Sequence, residues 1–188
     1  ALLATIANPM RIINEAVKPG LDVVSVKVDT GEMFIPDLIM AGEAAKVSID
    51  LITPLLRGGD SDGYKAKILM GVVVTDTHDI GKNVVKALLV ADGFEVIDLG
   101  VDVAHEVFVE NIISQKPLIL AASAYTSASA RGLGVLNEKL KEAGVRDDVI
   151  FLIGGAGVYS SDVPIVGADA YGADANEAVA LCNGFLSN

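Results

Sequence analysis

Residues 67–83 read KILMGVVVTDTHDIGKN, and this stretch decides the fold. The apolar, β-branched run from Ile68 to Val74 has the composition of a strand covered on both faces. It breaks into a polar loop, Thr75-Asp76-Thr77-His78-Asp79-Ile80-Gly81-Lys82-Asn83, and a helix begins around Gly81. Strand, loop and helix in that order are the first half of a βαβ unit.

The pattern repeats downstream. Further strands read from Glu95 to Leu99, Leu118 to Ala122 and Val149 to Ile153, with a short one from Ala168 to Tyr171, and helices fill the intervals, including an amphipathic one with Leu133, Leu136 and Leu140. Five strands so connected predict an α/β domain with a flavodoxin-like, Rossmann-like parallel sheet. Its ligands bind beyond the carboxyl ends of the strands, at the topological switch point. The loop that carries His78 is at that edge.

Upstream the periodicity is helical. Asn8-Pro9 reads as an N-cap, followed by Met10, Ile13, Val17, Leu21 and Val24 at helical spacing, with Pro19 as a kink. A break at Asp29-Thr30-Gly31 precedes a second helix from Ile35-Pro36 to about Leu56, with Leu38, Ile39, Ala45, Ile49 and Ile52 in its stripe. Met33, Phe34 and Met40 read as core of this helical bundle. The polar, glycine-rich run Arg57-Gly58-Gly59-Asp60-Ser61-Asp62-Gly63 reads as a linker. Expected domains are thus a helical cap over 1–60 and an α/β domain over 64–188.

Composition removes several function classes. A formal net charge of -11 opposes binding to nucleic acid or an anionic membrane surface. Cys182, the one cysteine, falls on an apolar helical position and reads as a small buried hydrophobe; one thiol builds neither a disulfide framework nor an iron-sulfur cluster. No apolar stretch is long enough to span a bilayer and no signal peptide is visible, which gives a cytoplasmic expectation.

His78 is the candidate chemical centre. A loop His two residues after an Asp can offer a neutral imidazole to a metal while the carboxylate accepts its other ring N–H. No second His or Cys lies at ligand spacing, so a zinc site made by protein ligands alone does not fit. A metal that arrives with its own equatorial ligands needs one protein donor. The alternative is a loop His satisfied by Asp76. His105, near the start of a later helix among Glu106 and Glu110, reads as a solvated surface residue.

Asp76-Thr77-His78-Asp79-Ile80-Gly81 matches the D-x-H-x-x-G signature of cobalamin-binding domains in methionine synthase and corrinoid methyltransferase proteins. Ser123-Ala124-Tyr125 follows the third strand, where that family carries S-x-L, and Gly154-Gly155 follows the fourth, where it carries G-G. Gly31-Glu32-Met33-Phe34-Ile35-Pro36 and the helix after it resemble the family's helical cap, whose first helix is not seen before Ala1.

The resemblance implies that His78 is the lower axial ligand of cobalt, backed by Asp76 and Ser129. A pocket lined by Gly81, Ser123, Tyr125, Ser127, Gly154 and Gly155 would take the nucleotide tail. Val101 and the turn from Tyr171 to Ala175 would approach the corrin from the same edge, and Val28 and Ile35 would shield its upper face. Two departures stand out: Tyr125 replaces Leu and changes the tail pocket, and Val28 replaces a Phe and opens the cap.

By the same resemblance the protein is a corrinoid carrier that is not catalytic alone. It would accept a methyl group from a substrate:corrinoid methyltransferase on cob(I)alamin, hold it as methylcobalamin, and pass it to a methylcorrinoid:acceptor methyltransferase that uses tetrahydrofolate or a thiol. A reductive activase would be a further partner. The alternatives are the cobalamin-binding subunit of an adenosylcobalamin mutase, a B12-dependent sensor domain, and a flavodoxin-like domain that binds no corrinoid.

Overall fold

The computed structural model describes residues 10–56 and 64–186. The expected N-cap at Asn8-Pro9 and the expected linker from Arg57 to Gly63 lie outside these. The chain divides into two compact units, one ending at Asp60 and the other beginning at Ser61.

The first unit is helical. A short α1 (Met10–Ile12) runs through a π turn (Ile13–Val17) into α2 (Lys18–Asp29). The wide turn sits just ahead of Pro19, where the chain lacks an N–H to continue the ordinary ladder. At the other end of α2, Gly31 takes φ +77°, its N–H donates to Val28 O, and Glu32 N–H donates to Lys27 O. That is a Schellman stop, and it requires the left-handed conformation that glycine adopts without penalty.

The second helix, α3 (Ile35–Ile52), starts where Phe34 N–H donates to the Asp37 carboxylate at 2.9 Å, and a 3-10 turn (Thr53–Leu56) follows it. Ala45, Ile49 and Ile52 are buried along one stripe. Ile39, Phe34 and Met40 are not: they are 61%, 71% and 72% exposed, so the core assignment of these three is corrected. Periodicity locates a stripe, and the stripe that packs runs through Ala45 and Ile49 instead.

The second unit is a five-stranded, all-parallel sheet in the order β2-β1-β3-β4-β5. Its strands are β1 (Lys67–Val72), β2 (Glu95–Asp98), β3 (Ile119–Ser123), β4 (Ile150–Gly154) and β5 (Ala170–Gly172). The helices are α4 (Ile80–Ala91), α5 (His105–Gln115), α6 (Ser127–Glu142), α7 (Val163–Val166) and α8 (Ala175–Phe185). This is the doubly wound α/β architecture expected from the alternation of patterns, with β5 shifted slightly toward the C-terminus.

Alternate strand residues feed two cores, one on each face of the sheet. Leu69, Leu120, Phe151 and Ile153 pack with Phe108 and Ile112 of α5 and Leu133, Leu136 and Leu140 of α6. Ile68, Met70, Ile119, Ala121 and Leu152 pack with Leu89 of α4 and with Ala178 and Cys182 of α8. Removing one such large side chain costs about 2–5 kcal/mol, because the cavity left behind adds to the lost transfer energy. Cys182 is fully buried and burial pushes its thiol up to about 12, so it serves as a core hydrophobe. Among the described residues no helix is long and apolar enough to cross a membrane.

The strand order reverses between β1 and β3. The loops after those two strands therefore meet at the carboxyl edge.

Candidate functional site

Asp76 organises this edge. It lies four residues beyond the end of β1, and its carboxylate is fully buried while the His78 side chain remains 53% exposed. Oδ1 accepts the His78 backbone N–H at 3.0 Å, an Asx turn, and faces His78 Nδ1 at 2.8 Å. Oδ2 accepts the Tyr125 N–H and the Ser129 hydroxyl, each at 2.6 Å. Burial alone would raise this carboxyl's pKa. The hydrogen bonds from the Ser129 hydroxyl, the His78 and Tyr125 amides and the His78 ring overcome it and hold the group well below the usual carboxylate range.

An ionised carboxylate only accepts, so Nδ1 of His78 carries a proton, and in the neutral ring Nε2 keeps its lone pair. The same argument orients the hydroxyls behind it. Ser129 Oγ–H is committed to Asp76, so Thr126 Oγ1, 2.9 Å from Ser129 Oγ, is the donor of that pair. Thr126 also caps α6: its Oγ1 accepts the Ser129 N–H, while its own N–H donates to Ser129 Oγ. A relay therefore runs Thr126, Ser129, Asp76, His78, and its first member carried no signal in the sequence.

The neighbouring loop is stitched to this one. Asp102 N–H donates to Asp76 O at 2.9 Å, and Thr75 N–H donates to Asp102 Oδ1 at 2.7 Å. Both residues sit at positive φ, 69° for Thr75 and 51° for Asp102. For a β-branched residue that conformation is costly, and the reciprocal bonds maintain it. Deeper in, Lys82 Nζ bonds both oxygens of Asp98, at 2.7 and 2.6 Å, and Asn83 Oδ1 at 2.8 Å. Lys86 reaches Asp98 at 3.0 Å, and Asp98 Oδ1 accepts the Gly100 N–H. Lys82 and Asp98 were absent from the expected site because a lysine in the first turn of a helix ordinarily faces solvent, and its partner comes from the end of another element, β2.

The other expected residues fall as follows. Thr77, Asp79 and Ile80 complete the His78 loop and open α4, Gly81 is exposed in its first turn, and Val101 is exposed on the loop after β2. Ser123 ends β3 and pairs in register with Gly154, which pairs with Gly172. In-register neighbours share a sheet face, so Ser123, Gly154 and Gly172 form a row of minimal side chains on the face covered by α4 and α8. Gly155, at φ +108°, lets the loop after β4 lie against Ala124, whose carbonyl oxygen would be 2.3 Å from an added Cβ. Ser127 is exposed at the start of α6.

Tyr171 lies within β5 and packs against the core on the α5 and α6 face, while Ala175 begins α8. Val28 is half-buried in the last turn of α2 and Ile35 opens α3, both in the first unit. The ring of Tyr125 lies stacked on His78, a contact the sequence did not announce. His105 is corrected: it is half-buried, and its Nε2 is enclosed with no hydrogen-bond partner among the described residues. Gly132 on α6 lies beside it, where an added Cβ would stand 3.5 Å from that nitrogen, an ordinary van der Waals contact.

Chemically, the edge presents one imidazole lone pair with a carboxylate behind it. Among the described residues no group of three or more His, Cys, Asp or Glu could hold a metal ion. The site therefore suits a metal whose remaining positions are filled by something other than this chain.

The chain was compared with known proteins. A B12 binding domain model matches residues 66–180, and a second B12 binding domain model matches residues 1–53. Trimethylamine corrinoid protein 2 of Methanosarcina mazei is 37% identical over 179 residues, covering 95% of this chain and 82% of that protein. The monomethylamine corrinoid protein of Methanosarcina barkeri superposes with a TM-score of 0.81 at 32% identity, over 97% of this chain and 85% of that one. The methanol:cobalamin methyltransferase complex of Methanosarcina barkeri matches with a TM-score of 0.64 at 29% identity, over 96% and 68%. With both domain models placed on the chain and relatives aligned along nearly all of it, the protein belongs to the B12-binding family.

Proposed function

We propose that the protein is a corrinoid carrier of a methyltransferase system, with His78 as the lower axial ligand of the cobalt. The observation that carries this reading is a half-exposed imidazole at the switch point whose inner nitrogen is already bound to the buried Asp76. When bound, the corrinoid supplies a cobalt centre able to take up and release a methyl group.

The residues present fit such a group. His78 offers a single donor, matching a metal held otherwise by its own macrocycle. Gly81 has nothing within 4 Å of the place a Cβ would occupy, so the protein's own packing does not demand a glycine there. Glycine in a helix costs about 1 kcal/mol against Ala, and the open space suits a ligand lying on the backbone. The row Ser123, Gly154 and Gly172, with Gly155, Ser127 and Tyr125 beside it, would hold the nucleotide tail. Val101 and the turn from Tyr171 to Ala175 would border the macrocycle, and Val28 and Ile35 are assigned to its upper face by the family resemblance.

Within this arrangement Asp76 keeps the proton on Nδ1, and Ser129, backed by Thr126, keeps Asp76 ionised. Charge drawn from the imidazole through Nε2 is met by that carboxylate. On this reading substrate chemistry belongs to partners: a substrate:corrinoid methyltransferase, a methylcorrinoid:acceptor methyltransferase and a reductive activase. Names among the relatives support this, since they include methylamine corrinoid proteins and a methyltransferase complex.

The test is reconstitution with cobalamin and EPR of the cob(II) form. The spectrum should show hyperfine structure from one histidine nitrogen, altered by 15N-histidine labelling and abolished in His78→Ala. An unchanged spectrum in that variant removes His78 from the metal. Turnover of a substrate by the chain alone removes the carrier assignment.

A further inference from the structure

The family's S-x-L places an aliphatic side chain where this protein has Tyr125. Its ring lies on the imidazole of His78, with centroids 4.1 Å apart and planes 14° from parallel. One carboxylate anchors both partners: Asp76 Oδ1 takes the His78 ring, and Oδ2 takes the Tyr125 backbone N–H at 2.6 Å. Asp76 and Tyr125 are 49 positions apart in the chain, so the arrangement is tertiary and not a property of the loop.

A hydrogen bond at Nδ1 fixes one atom of the imidazole and leaves the ring free to tilt about that bond. In a buried histidine, packing would remove the tilt. His78 is 53% exposed, and the stacked phenol supplies the missing restraint. The phenol oxygen makes no hydrogen bond among the described residues, so the restraint comes from the ring face.

We propose that Tyr125 is a positioning residue for the axial ligand: its ring fixes the plane of His78, so that Nε2 is presented outward before any cofactor arrives. An aliphatic residue at this place touches the imidazole without defining its plane. The inference rests on the reading of His78 as the axial ligand, and its first test does not need the cofactor.

The chain has two histidines, His78 and His105, so their ring proton signals can be assigned by substitution in the cofactor-free protein, with His105 as internal control. A stacked His78 gives upfield-shifted ring signals. Tyr125→Leu should abolish that shift, Tyr125→Phe should retain it, and His105 should not move in either. After loading with cobalamin, Tyr125→Leu should lower affinity about two- to tenfold, the range a stacked aromatic pair is worth. It should also lower the histidine-ligated fraction in the cob(II) EPR spectrum, and Tyr125→Phe should restore both. His78 signals identical in wild type and Tyr125→Leu, or full affinity and full histidine ligation in the Leu variant, would overturn the proposal. If wild type binds cobalamin without a histidine nitrogen, the axial-ligand reading fails, and the cofactor-free signals still decide whether the stack holds the ring. Should Tyr125→Leu misfold, as moved His105 signals would reveal, loss of the upfield shift in Tyr125→Phe is the result that sinks the idea.

Discussion

Lys82 Nζ lies 2.6 Å from Asp98 Oδ2, and this pair joins the first turn of the helix that follows His78 to the end of β2. The Lys82 side chain is 2% exposed and that of Asp98 15%. The same carboxylate fixes Gly100, one residue before Val101. Two loops at the ligand edge are therefore positioned by one ion pair.

Removing one partner of a buried pair leaves the other charge uncompensated, which costs more than the pair contributes. Asp98→Leu should destabilise the cofactor-free protein by about 3–5 kcal/mol in chemical denaturation. Adding Lys82→Met to that variant should recover a large part. A double variant no more stable than Asp98→Leu would show that the pair is not what couples these loops.

The same network sets an acid limb. Burial raises the Asp98 carboxyl, but Lys82, the Gly100 N–H and Lys86 overcome it and bring the group below its ordinary 3.8. A depressed folded-state value contributes stability that is complete above the unfolded value and is lost as pH falls through the folded one. The gap in unfolding free energy between wild type and Asp98→Asn should thus be constant from pH 7 to about 5 and narrow below about 4. Desolvation lowers Lys82 as well, against the Asp98 carboxylate that favours its charged form. A gap that stays constant down to pH 3 would assign the acid response elsewhere.

Two glycines should respond oppositely to alanine. Gly155→Ala places a Cβ against Ala124 at positive φ and should cost about 1–3 kcal/mol of stability with or without cofactor. Gly81→Ala meets open space and should leave the cofactor-free protein as stable or more stable by up to about 1 kcal/mol, while weakening cobalamin binding. Thermal unfolding with and without cobalamin separates the two. Equal cobalamin affinity for wild type and Gly81→Ala would place the ligand away from this turn.

Ser129→Ala removes a donor from the buried Asp76 and half of the reciprocal cap of α6. The expected loss is about 1–3 kcal/mol, the cost of leaving a buried acceptor partly unsatisfied. Thr126→Val keeps the volume but deletes both the hydroxyl behind Ser129 and the N-cap of α6, and should cost about 0.5–2 kcal/mol. A Ser129→Ala variant as stable as wild type in chemical denaturation would show that Asp76 does not need this donor.

What the sequence made legible follows from range. The parallel sheet could be read because each buried strand announces itself as a short apolar run, and Asp76 with His78 because the two are neighbours on one loop. The strain at Thr75 and Asp102 could not, since neither is glycine and only a bond between loops holds them at positive φ. Nor could Lys82, whose charge suggests solvent until Asp98 is brought across from another strand. His105 was misread for the same reason: its ring lies against α6 near Gly132, a different helix. Phe34, Ile39 and Met40 show the limit of periodicity, which gives the spacing of a buried face without saying which face is buried.

Asp76 receives its donors from two distances along the chain: His78 two residues on, and Tyr125 and Ser129 at separations of 49 and 53. The near contacts can form as soon as the loop exists. The far ones require β3 to have paired with β1, a step that carries the loop-closure entropy of a long-range contact. During synthesis, then, the histidine is made well before the residues that orient it. The aligned imidazole is a late product of folding, and if His78 is the axial ligand as proposed, cofactor loading would have a built-in order: the sheet closes first, and only then is there an aligned nitrogen for a corrinoid to find.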